Sequence, residues 1–143
     1  MALNDDQSIE CLALKLMDYS LPKHDWSHRS HFAVALWLLR HRPELTAPDE
    51  IKKLISGYNE ATHTPNTESS GYHHTITLAS LRAATHYLEI HPSTTPVHVV
   101  LQSLMVSECG RSDWLLSYWS PKVLFSPVAR RQWVAPDLST MPF

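Results

Sequence analysis

The feature that most constrains the fold is a series of helix-start signals along the chain. Ser120-Pro121 and Ser126-Pro127 each place a serine N-cap before a proline at the first helical position. Ser27 precedes a run in which apolar residues recur every three or four positions. Only three glycines occur, and no segment alternates between apolar and polar residues, so neither hairpins nor sheets are predicted. The sequence therefore predicts an all-α fold.

The same signals predict five main helices followed by short C-terminal helices. The first is capped by Asn4 or Asp5, the second spans about residues 27–40, and the third begins at Thr46 and ends before a polar loop at residues 62–71. The fourth spans about residues 72–90, and the fifth begins with Thr95 as N-cap and Pro96 as first helical residue. Short helices are predicted at residues 113–119, from residue 120 and from residue 126 to about residue 134. With 143 residues, we predict a single compact helical bundle comprising residues 1–143.

Composition and charge exclude several classes of partner. A net charge of −2 without a basic patch predicts no binding to nucleic acid. The longest apolar run, residues 32–39, is too short to span a membrane. Acidic residues near the start argue against a signal peptide.

Cys11 and Cys109 lie in apolar helical patterns, which predicts two buried free thiols and a cytoplasmic protein.

Ten histidines are a large share of the chain, and two of them lie on one predicted helical face. His28 and His31 are three positions apart, and Ala35 and Leu38 continue that face toward the core. Both imidazoles are therefore expected to point inward, with Cβ atoms about 5–6 Å apart. Two ring nitrogens at that spacing can share a metal ion, although buried histidines that bond to backbone groups show the same pattern.

The start of the fourth predicted helix carries a second pair, His73 and His74, within Gly-Tyr-His-His-Thr. His73 shares an inward stripe with Thr77 and Leu81, whereas His74 points about 100° away in a regular helix. If the starts of the second and fourth helices meet, His28, His31 and His73 would be the metal ligands. His74 would be a fourth ligand or a general base.

The chemistry predicted from this cluster is that of a first-row transition ion held by neutral imidazoles, namely Fe, Mn, Zn or Cu. His74, Tyr72 and Tyr58 are the candidate catalytic residues, because a tyrosine hydroxyl can donate a hydrogen bond or a proton. Thr77 would line the pocket with the two tyrosines. Arg130 could bind a substrate carboxylate, but a salt bridge to Asp137 or a helix-end contact is the favoured interpretation.

At these residues the chain resembles a group of small bacterial all-α proteins. The shared pattern reads aromatic-x-His-x-x-His, Tyr-Asn, Gly-Tyr-His-(His/Glu)-Thr-(Ile/Leu)-Thr, and a C-terminal stretch that ends in Trp-Val-x-Pro-Asp. The matching stretches are residues 26–31, 58–59, 71–77 and 118–137. The resemblance implies a shared pocket without naming a reaction. It also implies that Glu can replace His74, and both residue types bind metals and accept protons.

Three functions follow from these observations. The first is a small metalloprotein, an enzyme that acts on a small organic substrate at a histidine-rich site between the second and fourth helices. The second is a metal-free pocket with the same histidines that binds a small molecule or transfers protons. The third is a non-enzymatic interaction domain that docks a partner protein on Trp114, Trp119 and Trp133.

Overall fold

The computed structural model describes residues 2–143. In this part of the chain all regular secondary structure is helical, with no strand. The five main helices are α1 (Asp6–Met17), α2 (His28–His41), α3 (Pro48–Ala61), α4 (His74–Glu89) and α5 (Val97–Val106). Two short helices, α6 (Pro121–Leu124) and α7 (Pro127–Arg131), follow. Single 3-10 turns lie at Lys23–Asp25, Pro43–Thr46, Glu108–Gly110 and Trp114–Ser117. The predicted fold class is confirmed.

Local capping explains where four of these helices begin. The Asp5 carboxylate accepts from the Ser8 N–H at 2.7 Å at the start of α1. The hydroxyls of Ser27, Ser120 and Ser126 accept from the backbone N–H three residues later, at the starts of α2, α6 and α7. These caps satisfy N–H groups that have no partner inside the helix.

The start of α5 does not follow the predicted capping. Pro96 is extended and is itself the residue before the helix, and no side chain within the segment caps it. Instead, the Asp6 carboxylate of α1 accepts from the backbone N–H groups of Val97 and His98, at 3.2 and 2.8 Å. The His98 ring lies 2.7 Å from the same carboxylate. A side chain from another helix therefore replaces the local cap.

Other predicted boundaries shift by a few residues. Helix α3 begins at Pro48, because Pro43–Thr46 forms a separate 3-10 turn. A 3-10 turn, Trp114–Ser117, replaces the helix predicted at residues 113–119, and α7 ends at Arg131 rather than near residue 134. Cys109 is buried as predicted, but Cys11 is exposed, because it lies on the face of α1 opposite Ile9, Leu12 and Leu16.

Helix α2 lies at the centre of the core. Every residue from Phe32 to Leu38 is buried, because α1, α4 and α5 all pack against this helix. The main helices and the C-terminal segment contribute to one cluster of buried apolar side chains. None of the helices formed by residues 2–143 is long and apolar enough to cross a membrane.

The C-terminal segment is tied to the start of α4. Thr75 donates to the Gln132 carbonyl at 2.8 Å and accepts from the Val134 N–H at 3.1 Å. The indole of Trp119 is fully buried and donates to the Val134 carbonyl at 2.9 Å. Trp114 is 2 % exposed, so these two tryptophans pack into the core of their own chain.

Candidate functional site

A cavity of about 470 Å³ lies between α2, α3 and α4, beside the 62–73 loop and α7. Its volume falls within the range of sites that bind small organic molecules. Most of its wall is apolar and consists of residues from several elements: Leu16, Trp26, Val34, Ala35, Leu38, Ile51, Ile55, Ile76, Leu81 and Phe125. An apolar molecule would lose contact with water on entering it.

His31 is the predicted residue that the structure places most clearly at this cavity. It is exposed at the cavity surface, although neighbouring atoms crowd around its ring. Its imidazole forms no hydrogen bond with any residue from 2 to 143, and the Trp26 ring packs against it at 3.9 Å between centroids. Burial, with smaller effects of His28 and Lys23, lowers its pKa to about 4. At neutral pH His31 is therefore uncharged, with one N–H donor and one nitrogen acceptor.

His28 lies one turn before His31, but its ring is turned toward another partner. Its Nε2 donates to the Cys109 carbonyl at 2.8 Å, since a carbonyl can only accept. The ring packs edge-on against Phe32 at 5.3 Å and borders a smaller cavity of about 190 Å³. His28 thus joins α2 to the Glu108–Gly110 turn.

His73 is the N-cap of α4, and both its ring nitrogens are engaged. Nδ1 accepts from the Ile76 N–H at 3.2 Å, so Nε2 carries the proton and donates to the Leu124 carbonyl at 2.7 Å. Burial lowers the pKa of His73, although the bond to Leu124 opposes this effect. His73 therefore fastens the start of α4 to the end of α6, while one edge of its ring borders the cavity.

The three histidines predicted as metal ligands do not present three free nitrogens to one point. Within residues 2–143, no group of three His, Cys, Asp or Glu side chains is arranged to hold a metal ion. His73 would have to leave its cap to become a ligand. The structure therefore does not supply the predicted ligand set as it stands, and metal binding stays a prediction.

The candidate catalytic tyrosines differ in position. Tyr58 is fully buried and donates to the Leu21 carbonyl at 2.9 Å, and it is absent from the cavity wall. Burial raises its pKa. Tyr72 does line the cavity, and its hydroxyl lies 2.6 Å from Nδ1 of His74. Burial raises the pKa of Tyr72 to about 12, so the hydroxyl keeps its proton at neutral pH.

His74 and Thr77 support this end of α4. His74 shares a hydrogen bond with the Tyr72 hydroxyl and does not itself line the cavity. Burial, and to a lesser degree the charge of Lys52, lowers the pKa of His74. Thr77 lines the cavity as predicted, and its hydroxyl donates to the His73 carbonyl at 2.7 Å.

Two cationic side chains, Lys23 and Arg130, reach the cavity wall, and none of the described residues that form this wall is Asp or Glu. Lys23 donates to the side-chain oxygen of Asn59 at 3.0 Å, and burial lowers the pKa of the lysine. Arg130 donates through Nη1 to the carbonyls of Gly71 and Tyr72, at 3.1 and 3.4 Å. The described wall therefore combines apolar surface with two cations and no acidic side chain.

Arg130 does not form the predicted salt bridge, because the Asp137 carboxylate accepts from the Ser120 N–H at 2.8 Å. The buried Nε of Arg130 has no hydrogen-bond partner within residues 2–143, and Nη2 forms no hydrogen bond with them either. Nε and Nη2 form the edge of a guanidinium that binds both oxygens of a carboxylate. This edge has no acceptor from the described part of the chain.

A chain of hydrogen bonds connects the two cations. Lys23 bonds to Asn59, and Asn59 donates to the side-chain oxygen of Asn66 at 3.1 Å. The same oxygen accepts from the Tyr72 N–H at 2.9 Å, and the Tyr72 carbonyl accepts from Arg130. The 62–73 loop therefore positions both charges at the same side of the cavity.

Gly71 makes this loop geometry possible. Its φ is +79°, a conformation that side-chain-bearing residues rarely adopt. A Cβ at this position would lie 2.5 Å from the Pro65 carbonyl oxygen and 2.6 Å from the Asn66 side-chain oxygen. The glycine of the Gly-Tyr-His-His-Thr motif is therefore required by the packing of the loop that carries Asn66.

The functional residues missed by sequence reasoning are Lys23, Asn59 and Ser80, all in the cavity wall. Asn59 had a signal, since it belongs to the Tyr-Asn element of the pattern on which the predicted resemblance rests. Lys23 and Ser80 had none, because a single lysine or a helical serine is ordinarily a surface residue.

No protein-family model matches the chain, and no curated protein or solved structure is detectably similar to it. The resemblance to small bacterial proteins stays a prediction, and the function is argued from the cavity.

Proposed function

We propose that the domain binds a small organic anion with an apolar body, most simply a monocarboxylate, in the cavity between α2, α3 and α4. The observation that carries this proposal is the composition of the cavity wall: aliphatic and aromatic side chains, two cations and no described acidic residue. Burying a lone anion in such a wall would be costly, but a cation with an open hydrogen-bonding edge offsets that cost. This is the metal-free small-molecule pocket predicted as an alternative from the sequence.

Arg130 is the residue proposed to bind the carboxylate directly. The buried Nε without an acceptor lowers the stability of the ligand-free protein, since an unsatisfied buried donor costs about 1–3 kcal/mol. Because Nε has almost no accessible surface, the guanidinium would turn toward the cavity to bind a carboxylate at its Nε–Nη2 edge, which would remove this cost. Lys23 contributes a second positive charge from the far end of the Asn59–Asn66 bridge.

Calorimetric titration of octanoate, octanol and octylamine tests the proposal. We expect octanoate to bind best and the amine worst, because the three probes share an apolar chain and differ in charge. Arg130→Met should weaken octanoate binding about 10- to 100-fold, the loss expected for a charged hydrogen bond. Lys23→Met should weaken it less.

Arg131→Met is the matched control, because Arg131 is the next residue and pairs with Glu68 on the surface, 56 % exposed. It should leave octanoate binding unchanged. Equal binding of octanol and octanoate, or equal effects of the Arg130 and Arg131 substitutions, would contradict the proposal. Lys23→Met keeps the test valid if Arg130→Met does not fold.

A metal-dependent enzyme is the second candidate function, because His31 has two free ring nitrogens and His28 has a free Nδ1 within one helical turn. Metal analysis of untagged protein, before and after chelation, tests it. If neither Fe, Mn, Zn nor Cu is bound or can be added back, this candidate is eliminated. Octanoate binding that survives chelation supports the metal-free pocket.

We also propose a cytoplasmic location, on the grounds that Cys11 and Cys109 are both unpaired. Proteins of oxidising compartments ordinarily form disulfides when cysteines can meet. Cell fractionation with an antibody against the native protein would locate it, and recovery outside the cytoplasm would contradict the proposal.

A further inference from the structure

The smaller cavity adjoins the larger one and shares part of its wall. Four residues border both: His31, Ile76, Ser80 and Phe125. The smaller cavity has a volume of about 190 Å³ and is mostly apolar, with Phe32, Trp114 and three leucines in its wall. The two cavities therefore meet at these four residues.

Two of the shared residues, His31 and Ser80, carry polar side chains without a hydrogen-bond partner. A helical serine or threonine ordinarily bonds to the carbonyl four residues earlier. Thr77 and Thr85, on the same helix, do so with His73 and Leu81, at 2.7 and 2.8 Å. Ser80 forms no such bond with any described residue. Both side chains keep accessible surface in the shared wall, so their polar atoms can bond to a ligand there.

The chemistry of the junction selects a neutral oxygen. A neutral imidazole offers one donor and one acceptor, and the Ser80 hydroxyl offers both. A ligand hydroxyl or carbonyl oxygen fits this pair. A hydroxyl can use both the donors and the acceptors of the pair, whereas a carboxylate can use only the donors.

The charges also set the direction of the ligand. The cations Lys23 and Arg130 lie at the larger cavity, whereas the one acidic residue at the smaller cavity is Asp113, which is 55 % exposed and paired with Arg111. The anionic end would thus occupy the larger cavity and an apolar end the smaller one.

Resting on the anion-binding function proposed above, we propose that the ligand is a carboxylic acid with a hydroxyl or carbonyl group along its apolar chain. His31 and Ser80 hold that oxygen, and the remaining chain enters the smaller cavity. The ligand class is therefore hydroxy or oxo acids rather than simple fatty acids.

Titration of octanoate and of the isomers that carry one hydroxyl or one keto group at successive carbons tests this inference. We expect one position to bind about tenfold or more tightly than octanoate, the gain expected from about one or two hydrogen bonds in a buried site. Ser80→Ala and His31→Leu should abolish this preference, so that in each variant no oxygenated isomer binds more tightly than octanoate. Ser103→Ala, on α5 and outside both cavity walls, is the control and should preserve the preference.

The outcomes separate the two proposals. If octanoate binds but every oxygenated isomer binds equally or more weakly, the hydroxy- or oxo-acid inference is wrong and the anion pocket stands. A positional preference that persists in both Ser80→Ala and His31→Leu also overturns the inference. If no carboxylate binds at all, the anion pocket itself is refuted.

Discussion

The low pKa of His31 predicts that this residue makes the protein less stable as the pH falls. The imidazole titrates near pH 6.5 in the unfolded chain and near pH 4 in the folded one. Between these values the unfolded state binds more protons, so the free energy of unfolding falls as the pH falls. The contribution is fully present above about pH 6.5 and is lost toward pH 4.

The expected size follows from the difference between the two pKa values. A pKa that drops from 6.5 to about 4 corresponds to about 3 kcal/mol for a fully desolvated group. His31 faces a cavity that can hold water, which stabilises the imidazolium, so we expect roughly half of that, about 1.5 kcal/mol. His31→Leu should remove this part of the pH dependence.

Urea unfolding followed by tryptophan fluorescence, at about pH 7 and about pH 4.5, measures the effect. His73 and His74 also have lowered pKa values and contribute in the same direction, so the decisive quantity is the difference between the unmodified protein and His31→Leu. His24→Leu is the control, because the His24 side chain is 82 % exposed. If His31→Leu loses as much stability on acidification as the unmodified protein, the assigned environment of His31 is wrong.

Three further predictions concern the supports of the site. Gly71→Ala should destabilise the fold by about 1–3 kcal/mol in urea unfolding because of its positive φ and close contacts. Gly57→Ala should cost little, since the added Cβ meets only the movable end of the Tyr19 side chain, and equal losses would count against the argument. Asp6→Ala should lower the free energy of unfolding by about 1 kcal/mol through loss of the α5 cap, and Asp6→Asn should have a smaller effect. Equal thermal unfolding midpoints for the two variants would refute a capping role. His73→Leu should lower the free energy of chemical unfolding by about 1–3 kcal/mol without added metal. His73→Asn should have a smaller effect, because asparagine also caps helices. A loss of stability seen only with metal present would instead favour the ligand role.

The sequence predicts most of the fold because helix starts are local. A serine or aspartate cap bonds to an N–H three residues later, so the pattern is complete within one turn of chain. The inward face of His31 is equally local, since Ala35 and Leu38 continue it on the same helix. Helix α5 shows the limit, because its cap comes from Asp6, 91 residues away from Val97.

The sequence predicts where the candidate residues lie better than which partners their side chains bond to. His28, His31 and His73 border neighbouring cavities, but spacing along a helix cannot show which nitrogen is already bonded. His73 looked like a free ligand and is bound to the Leu124 carbonyl, 51 residues later. His31, with the same sequence signal, has no such partner.

The sequence by itself therefore determined the helices, their caps and the faces that point inward, because these depend on interactions within a turn or two. The tertiary structure alone decided that Lys23 and Arg130 both line a cavity whose described wall contains no Asp or Glu. It also decided that His31 and Ser80, which bond to no described residue, border both cavities. The physical reason is that a side chain's hydrogen-bond partner and solvation are set by whichever distant segment packs against it. No local pattern encodes that choice.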